Sequence, residues 1–494
     1  MASTATKHGA AVPADGLGRR DALVLALLAM IAFFVRSPWF GDANADIDEQ
    51  LYSLIGNAMT QGHLPFVDLW DRKPFGLFAL YALAHSVGGP DPAAYQVLAA
   101  LFTVAGAWMT YVLARDLVDR VTAGGAAVLY VLLVSTYGSH SGQSEAFHVP
   151  MMLGMALLVR DPAHSQAVPR ALAAMLLGGI ALQVKYTVLP QCIFFGMWAL
   201  WGRYRAGDAP IRLVWLGAAF CALGLLPTAL VAGGYAAAGY WDEFLFANFL
   251  SFFDRLPSST GRYSSDSFLY LLPLGALVMA GAYAALRLAP PSNRRAYLFL
   301  SLWLLAALAT VHMPATVYRY YYAALAPSVA LFALPLIDRS GAARLLPMLL
   351  VLAGFSYLLF LPTQFEQSRM HRAALDRLSA AISPRVDSTA RCLWVFDGPT
   401  SLYRLSGSCL PTRFIYPDHL NNALEQDALG LSQEAEVARI LATRPSVIVT
   451  ADSAFTPQNE AATSLVESAL ASRYSEIGHE TLHERTIRVW ALNR

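Results

Sequence analysis

From Ala93 to Ala114 the chain carries no charged side chain. At 1.5 Å of rise per helical residue, such a stretch crosses a bilayer core of about 30 Å. The whole sequence has the same bias: of its 494 residues 56% are apolar and 14% charged, against roughly 25% charged in soluble domains. The chain therefore reads as a polytopic α-helical membrane protein. A net charge of +1 gives no footprint for nucleic acid, and there is no basic stripe or base-stacking platform. Glycine-rich phosphate loops of the Walker or Rossmann type are also missing from the sequence.

Apolar runs predict about eleven spans, near 22–36, 93–114, 121–137, 147–159, 171–184, 187–201, 211–232, 267–287, 296–311, 322–337 and 345–361. With a cytoplasmic N-terminus, Arg115/Arg120, Arg160/Arg170, Arg203/Arg205/Arg212, Arg287/Arg294/Arg295 and Arg339/Arg344 then fall on one face with Lys7, Arg19 and Arg20. That is the positive-inside pattern, and one span more or fewer would scramble it. Segment 74–88 is apolar as well, but as a span it would move Arg115 and Arg120 to the other face. It reads instead as a helix at the outer interface.

Three regions follow. Residues 1–20 form a small, polar cytoplasmic tail of disordered composition. Residues 21–361 form the transmembrane domain, with outer loops at 37–92 and 233–266. Beyond 361 acids, Arg and Ser return, and no run is long enough to span. Region 362–494 reads as an extracytoplasmic α/β domain: helical spacing at Gln364–Ser383, a second helix at Glu434–Thr443, and β-like runs at Cys392–Phe396, Ser446–Thr450 and Thr486–Leu492. Cys392 and Cys409 would lie in an oxidising compartment and are candidates for a disulfide, whereas Cys192 and Cys221 read as buried thiols in spans.

Charges that break the positive-inside pattern carry the functional signal, because charge beside or within a bilayer is costly. Asp46-Ile47-Asp48-Glu49 opens a helical pattern through Leu51, Leu54, Ile55 and Met59. Its acids either cap that helix or supply a general base for an acceptor hydroxyl. Asp71-Arg72-Lys73-Pro74 opens the interfacial stretch, where the cations either anchor at headgroups or hold a phosphate. Glu145 and His148 follow Ser139–Ser144; a divalent metal on Glu145 and histidines is conceivable but not diagnostic in spacing. Lys185 ends a span, where snorkelling competes with a binding role. Arg319 lies among Tyr318, Tyr320, Tyr321 and Tyr322, which are either interfacial belt residues or a sugar-phosphate platform. Arg255 and Arg262 lie in the Phe-rich loop Trp241–Asp266, an interfacial helix or a lid.

This ordered set resembles the GT-C glycosyltransferases, and most of all the protein-mannosyltransferase-like branch that includes bacterial aminoarabinose and galacturonosyl transferases of lipid A. The resemblance covers roughly residues 20–340. It implies Asp48 as catalytic base with Glu49 beside it, and Glu145 as an acceptor-positioning acid. It implies Arg72, Lys73, Lys185 and Arg319 around the donor phosphate, and Tyr320, Tyr321, His148, Arg255 and Arg262 as possible sugar or acceptor contacts. Arg72, Phe75 and Tyr320 depart from the family pattern, where an acid, a second proline and a His are usual. The expected activity is inverting transfer of a sugar from a polyprenyl-phosphate donor to an envelope lipid, glycan or protein. The expected setting is the extracytoplasmic face of a bacterial inner membrane, with neither metal nor cofactor and with no nucleic-acid partner. Segments 398–403 and 411–414 would shape or cover the acceptor cleft.

Two other readings stay open. A lipid-linked saccharide transporter would need charges at mid-bilayer, broken spans and repeats, and no repeat is seen. An O-antigen ligase-like enzyme would place its key Arg and His in a large late loop.

Overall fold

The computed structural model describes residues 18–256, 265–314, 316–339 and 344–493. Every predicted span coincides with helix. The first half of the chain contributes α1 (Arg19–Arg36), α2 (Ile47–Met59), α3 (Phe75–Gly88), α4 (Pro92–Ala114), α5 (Arg120–Thr136), α6 (Ser144–Val159), α7 (Ala167–Leu182) and α8 (Leu189–Arg205). There follow α9 (Pro210–Ala237), the short α10 (Trp241–Leu245) and α11 (Ser251–Asp254), α12 (Ser265–Tyr283), α13 (Arg294–His312), α14 (Ala326–Phe332), α15 (Leu334–Ile337) and α16 (Leu346–Leu359). Among the described residues, five helical segments are long and apolar enough to cross a membrane: Arg19–Trp39, Pro92–Ala114, Pro210–Ala237, Leu271–Leu288 and Arg294–His312. The expected span at 322–337 is broken. It comprises a 3-10 turn at Arg319–Leu325, then α14 and α15, with Pro327 and Pro335 in the first turns of the two helices, where a missing N–H is tolerated.

Helix α9 buries only Phe220 and Tyr235 and exposes Val214, Trp215, Leu225 and Leu230. An apolar surface of that extent on one helix suits lipid, not water. Cys192 is buried as expected, but Cys221 lies on this exposed helix.

Segment 74–88 is a helix of its own, α3, of 14 residues, the length of α16. It packs against α2, which in turn contacts the C-terminal domain. That domain starts with α17 (Pro362–Ile382), followed by β1 (Leu393–Val395), α18 (Ser401–Ser406), α19 (Pro417–Asn421), α20 (Gln433–Ala442), β2 (Val447–Ala451), α21 (Glu460–Arg473), β3 (Tyr474–Leu482) and β4 (Arg485–Leu492). The sheet order is β1-β2-β4-β3, parallel between β1 and β2 and antiparallel elsewhere. A disulfide joins Cys392 to Cys409. Strand β3 and helix α21 were not foreseen. Strand β3 is an edge strand whose exposed positions carry Ser475, Glu476, His479 and Thr481, so it lacks an apolar alternation. Its hairpin turns at His483-Glu484, both at positive φ, in place of the usual Asn-Gly signal.

The two domains share a core. Trp70, from the loop after α2, is fully buried among Trp394, Phe414, Leu420 and Val437 of the C-terminal domain. Its backbone N–H donates to the Arg413 carbonyl (3.0 Å), and the Ser401 N–H donates to Gln50 Oε1 (3.0 Å). Segments 398–403 and 411–414 thus dock the C-terminal domain onto α2 and its following loop.

Candidate functional site

Asp46 caps α2: its side chain accepts from the Asp48 N–H (2.9 Å), which fixes Asp48 in the first turn. Four donors from four parts of the chain then surround the Asp48 carboxylate. Oδ2 accepts from Tyr320 (3.0 Å), Tyr52 (3.3 Å) and Gln143 Nε2 (3.3 Å), and Oδ1 from Tyr416 (3.3 Å). Tyr52 is one helical turn along α2, Gln143 caps α6, Tyr320 stands in the turn before α14, and Tyr416 belongs to the C-terminal domain. Tyrosine hydroxyls and an amide orient a carboxylate while leaving it acceptor-only and unpaired with any cation within 4 Å among the described residues.

Consecutive helical residues diverge by about 100°, since a turn takes 3.6 residues, and Glu49 accordingly points away from Asp48. It is buried and accepts from the Ser141 hydroxyl and the Gly142 N–H, both at 2.6 Å. Burial pushes its carboxyl up to about 7, against these hydrogen bonds and the charge of Arg36. Arg36 closes the same loop by donating to the Ser139 carbonyl (2.7 Å) and to that of Ser141. Glu49, expected beside Asp48 in the catalytic set, therefore supports loop 138–143. Two glycines let that loop pass. A Cβ on Gly142 would lie 2.5 Å from Tyr95 and 2.8 Å from the Tyr81 hydroxyl, and Gly138, at φ +87°, runs beside Tyr320.

Lys73 follows Asp71, whose Oδ1 accepts the Lys73 N–H (2.7 Å). This local turn aims the ammonium back over the Tyr52 ring, 5.8 Å from its centroid. Among the described residues it makes no ion pair within 4 Å. Burial works against its charge, but Asp48, Tyr321, Asp71 and Glu145 outweigh burial and raise its pKa above the usual lysine range. Lys73 is thus a permanently charged ammonium beside Asp48 with no carboxylate bound to it.

Lys185 and Glu145 are also brought here, paired with each other and both buried. The Lys185 ammonium lies 4.0 Å from the Tyr321 ring centroid and 5.4 Å from that of Tyr320. His148 Nε2 is 3.9 Å from Glu145, and neither ring nitrogen has a hydrogen-bond partner within reach. Tyr320 and Tyr321 meet edge to face at 4.8 Å.

Three predicted phosphate or sugar ligands are engaged by other groups of the chain. Arg72 turns to Glu425 of the C-terminal domain, donating to both carboxylate oxygens, one at 2.8 Å. Arg255 pairs with the same Glu425 at 2.6 Å. The two guanidiniums share this one carboxylate at the domain junction, and it fills the fork of Arg72 that a phosphate would take. Arg319 donates to the Thr136 carbonyl and holds the tyrosine turn against α5. Arg262 lies outside the described residues. Among the described residues, no group of three His, Cys, Asp or Glu side chains is placed to hold a metal.

Sequence reasoning missed Tyr52, Gln143 and Tyr416. The i,i+4 spacing of Asp48 and Tyr52 on one helix was an available signal. Gln143 precedes a helix, which suits a cap but does not point to Asp48, and nothing local links Tyr416 to a residue far earlier in the chain.

Among solved structures, ArnT from Cupriavidus metallidurans bound to undecaprenyl phosphate has the same arrangement, with a TM-score of 0.61 over 95% of this chain and 97% of that one, at 15% identity. The fold is that of ArnT. The apo form of ArnT matches with a TM-score of 0.59, 15% identity and the same coverage. The match takes in the C-terminal domain as well as the helices, and it bears out the expected GT-C type of fold. No protein-family model matches the sequence, and no curated protein does.

Proposed function

We propose that the protein is a membrane glycosyltransferase that moves a sugar from a polyprenyl-phosphate donor to a hydroxyl of an envelope lipid, glycan or protein, on the extracytoplasmic side of a bacterial inner membrane. The observation that carries this reading is the pairing of opposites at one point: Asp48, held by four neutral donors, beside Lys73, an ammonium with no carboxylate of its own. The ArnT fold, seen in one structure with undecaprenyl phosphate, supports the choice of donor.

In this mechanism the acceptor hydroxyl gives its proton to Asp48 as its oxygen attacks the anomeric carbon from the face opposite the phosphate. The new glycosidic C–O bond forms while the anomeric carbon–phosphate oxygen bond breaks, with inversion. Polyprenyl phosphate leaves with the bonding electrons. Charge grows on that phosphate in the transition state, so a fixed cation accelerates the step more than it tightens the ground state. Lys73 is that cation. Lys185 lies behind it on the Tyr321 ring, with Glu145 compensating its charge until the phosphate arrives.

The test is a pair of variants in the full-length protein. Asp48→Asn is expected to abolish transfer while retaining undecaprenyl phosphate binding, and Lys73→Ala to lose both. Normal transfer by either variant removes the assignment.

A further inference from the structure

His148 has no part in the mechanism above, although it lies one helical turn from Glu145 on α6. It is 1% exposed, and neither ring nitrogen has a hydrogen-bond partner among the described residues. An imidazole sealed in this way loses its hydrogen bonds to water and gains none in return, a penalty that an apolar residue of similar size would avoid. Its Nε2 stops 3.9 Å from Glu145, about 1 Å beyond hydrogen-bond reach.

Glu145 is satisfied only while Lys185 stays in place. Its Oε1 holds the Lys185 ammonium, and its Oε2 accepts from the Ser144 hydroxyl at 3.0 Å. Lys185 is the member of the pair that can turn away, because its ammonium rides on a flexible stem over the rings of Tyr321 and Tyr320, 4.0 and 5.4 Å from their centroids. A phosphate held by Lys73 attracts that ammonium and repels the Glu145 carboxylate. As Lys185 turns to the phosphate, Glu145 keeps its charge in a buried place without its cation, which is strongly unfavourable. His148 stands one turn along the same helix with its ring N–H unused. A small rotation of either side chain brings Nε2 onto the Glu145 carboxylate.

We propose that His148 is a positioning residue that takes Glu145 over from Lys185 when the donor phosphate binds. The inference rests on the glycosyltransferase reading and gives a different role to a residue expected to contact sugar or acceptor. In the free protein Glu145 pairs with Lys185. In the loaded protein Lys185 faces the phosphate and the His148 Nε2–H donates to Glu145. A neutral N–H offsets part of the lost ion pair, and the attraction between Lys185 and the phosphate offsets the rest. No proton changes hands, and His148 touches neither sugar nor acceptor.

Melting curves and undecaprenyl phosphate titrations of the full-length protein in lipid nanodiscs test this with two variants. His148→Met keeps the volume and removes the N–H; His148→Gln keeps an N–H near the Nε2 position. Without ligand, His148→Met is expected to melt no lower than wild type, because no hydrogen bond is lost. Its affinity for undecaprenyl phosphate is expected to fall about tenfold, the size of one hydrogen bond to a charged group, with His148→Gln within about threefold of wild type. In a Glu145→Gln background there is no charge to hand over, so adding His148→Met is expected to leave affinity unchanged. Equal affinities of wild type and His148→Met, the same loss in the Glu145→Gln background, or a loss in His148→Gln as large as in His148→Met overturns the hand-over and leaves the donor site standing. A lower melting temperature of ligand-free His148→Met overturns it as well, since His148 would then be bonded already in the free protein. A wild type that does not bind undecaprenyl phosphate overturns the donor reading and the hand-over with it.

Discussion

The Tyr416 hydroxyl of the C-terminal domain lies 3.3 Å from Asp48 Oδ1 in the first turn of α2. The membrane domain therefore does not complete its own carboxylate site; a soluble-type domain supplies one of the four donors. Tyr416→Phe removes that hydroxyl and little else. A hydrogen bond to a charged group is worth about 1.5–3 kcal/mol, so transfer is expected to slow by roughly tenfold or more, with undecaprenyl phosphate affinity unchanged. Steady-state transfer rates and a binding titration on the same preparation check this.

Glu145 and Lys185 form a buried pair, and such pairs are fragile when halved. Lys185→Met leaves a buried carboxylate without its cation, a loss of about 3–5 kcal/mol. The double variant Lys185→Met/Glu145→Gln should recover most of it, because both charges are gone. Melting of the four proteins of this cycle in detergent measures the coupling. Additive losses would mean that the pair is not formed.

Arg72 is assigned here to domain docking through Glu425 and not to the donor phosphate. Arg72→Ala should therefore lower the melting temperature and speed proteolysis at the junction near residues 362–425, while undecaprenyl phosphate binds as in wild type. Glu425→Ala should give the same result and also release Arg255. A selective loss of phosphate binding in Arg72→Ala would restore the sequence expectation.

Burial raises the Asp418 carboxyl from 3.8 to about 6. A carboxyl with a raised folded-state pKa contributes stability that is fully present below its unfolded pKa, near 4, and is lost as pH rises through about 6. Wild type should accordingly melt lower than Asp418→Asn at pH 7.5, by a few degrees, and the gap should close toward pH 4.5. Melting curves of both proteins across this range settle the sign.

The helices could be read from the sequence because each is an apolar run, and lipid imposes that signal locally. The N-terminal cap at Asp46 and the helix behind it were legible for the same reason. Residue type and order singled out Asp48, Lys73, Glu145 and Lys185, but not which way each side chain points. Glu49 looked equivalent to Asp48 until the helical turn sent it toward Ser141 and Gly142. Arg72 looked equivalent to Lys73 until a carboxylate from the C-terminal domain claimed it. Tyr416 and Glu425 act across a domain junction hundreds of residues apart in sequence, and composition and periodicity carry no information about such contacts.

The role of Asp48 in glycosyl transfer is tested most directly by mass spectrometry of envelope lipids, glycans and secreted proteins from cells lacking this gene, complemented with wild type or with Asp48→Asn at equal abundance in the membrane. The prediction is one glycosylated species that wild type restores and Asp48→Asn does not, with its polyprenyl-phosphate sugar donor accumulating in the variant. Restoration of that species by Asp48→Asn to wild-type level would contradict it.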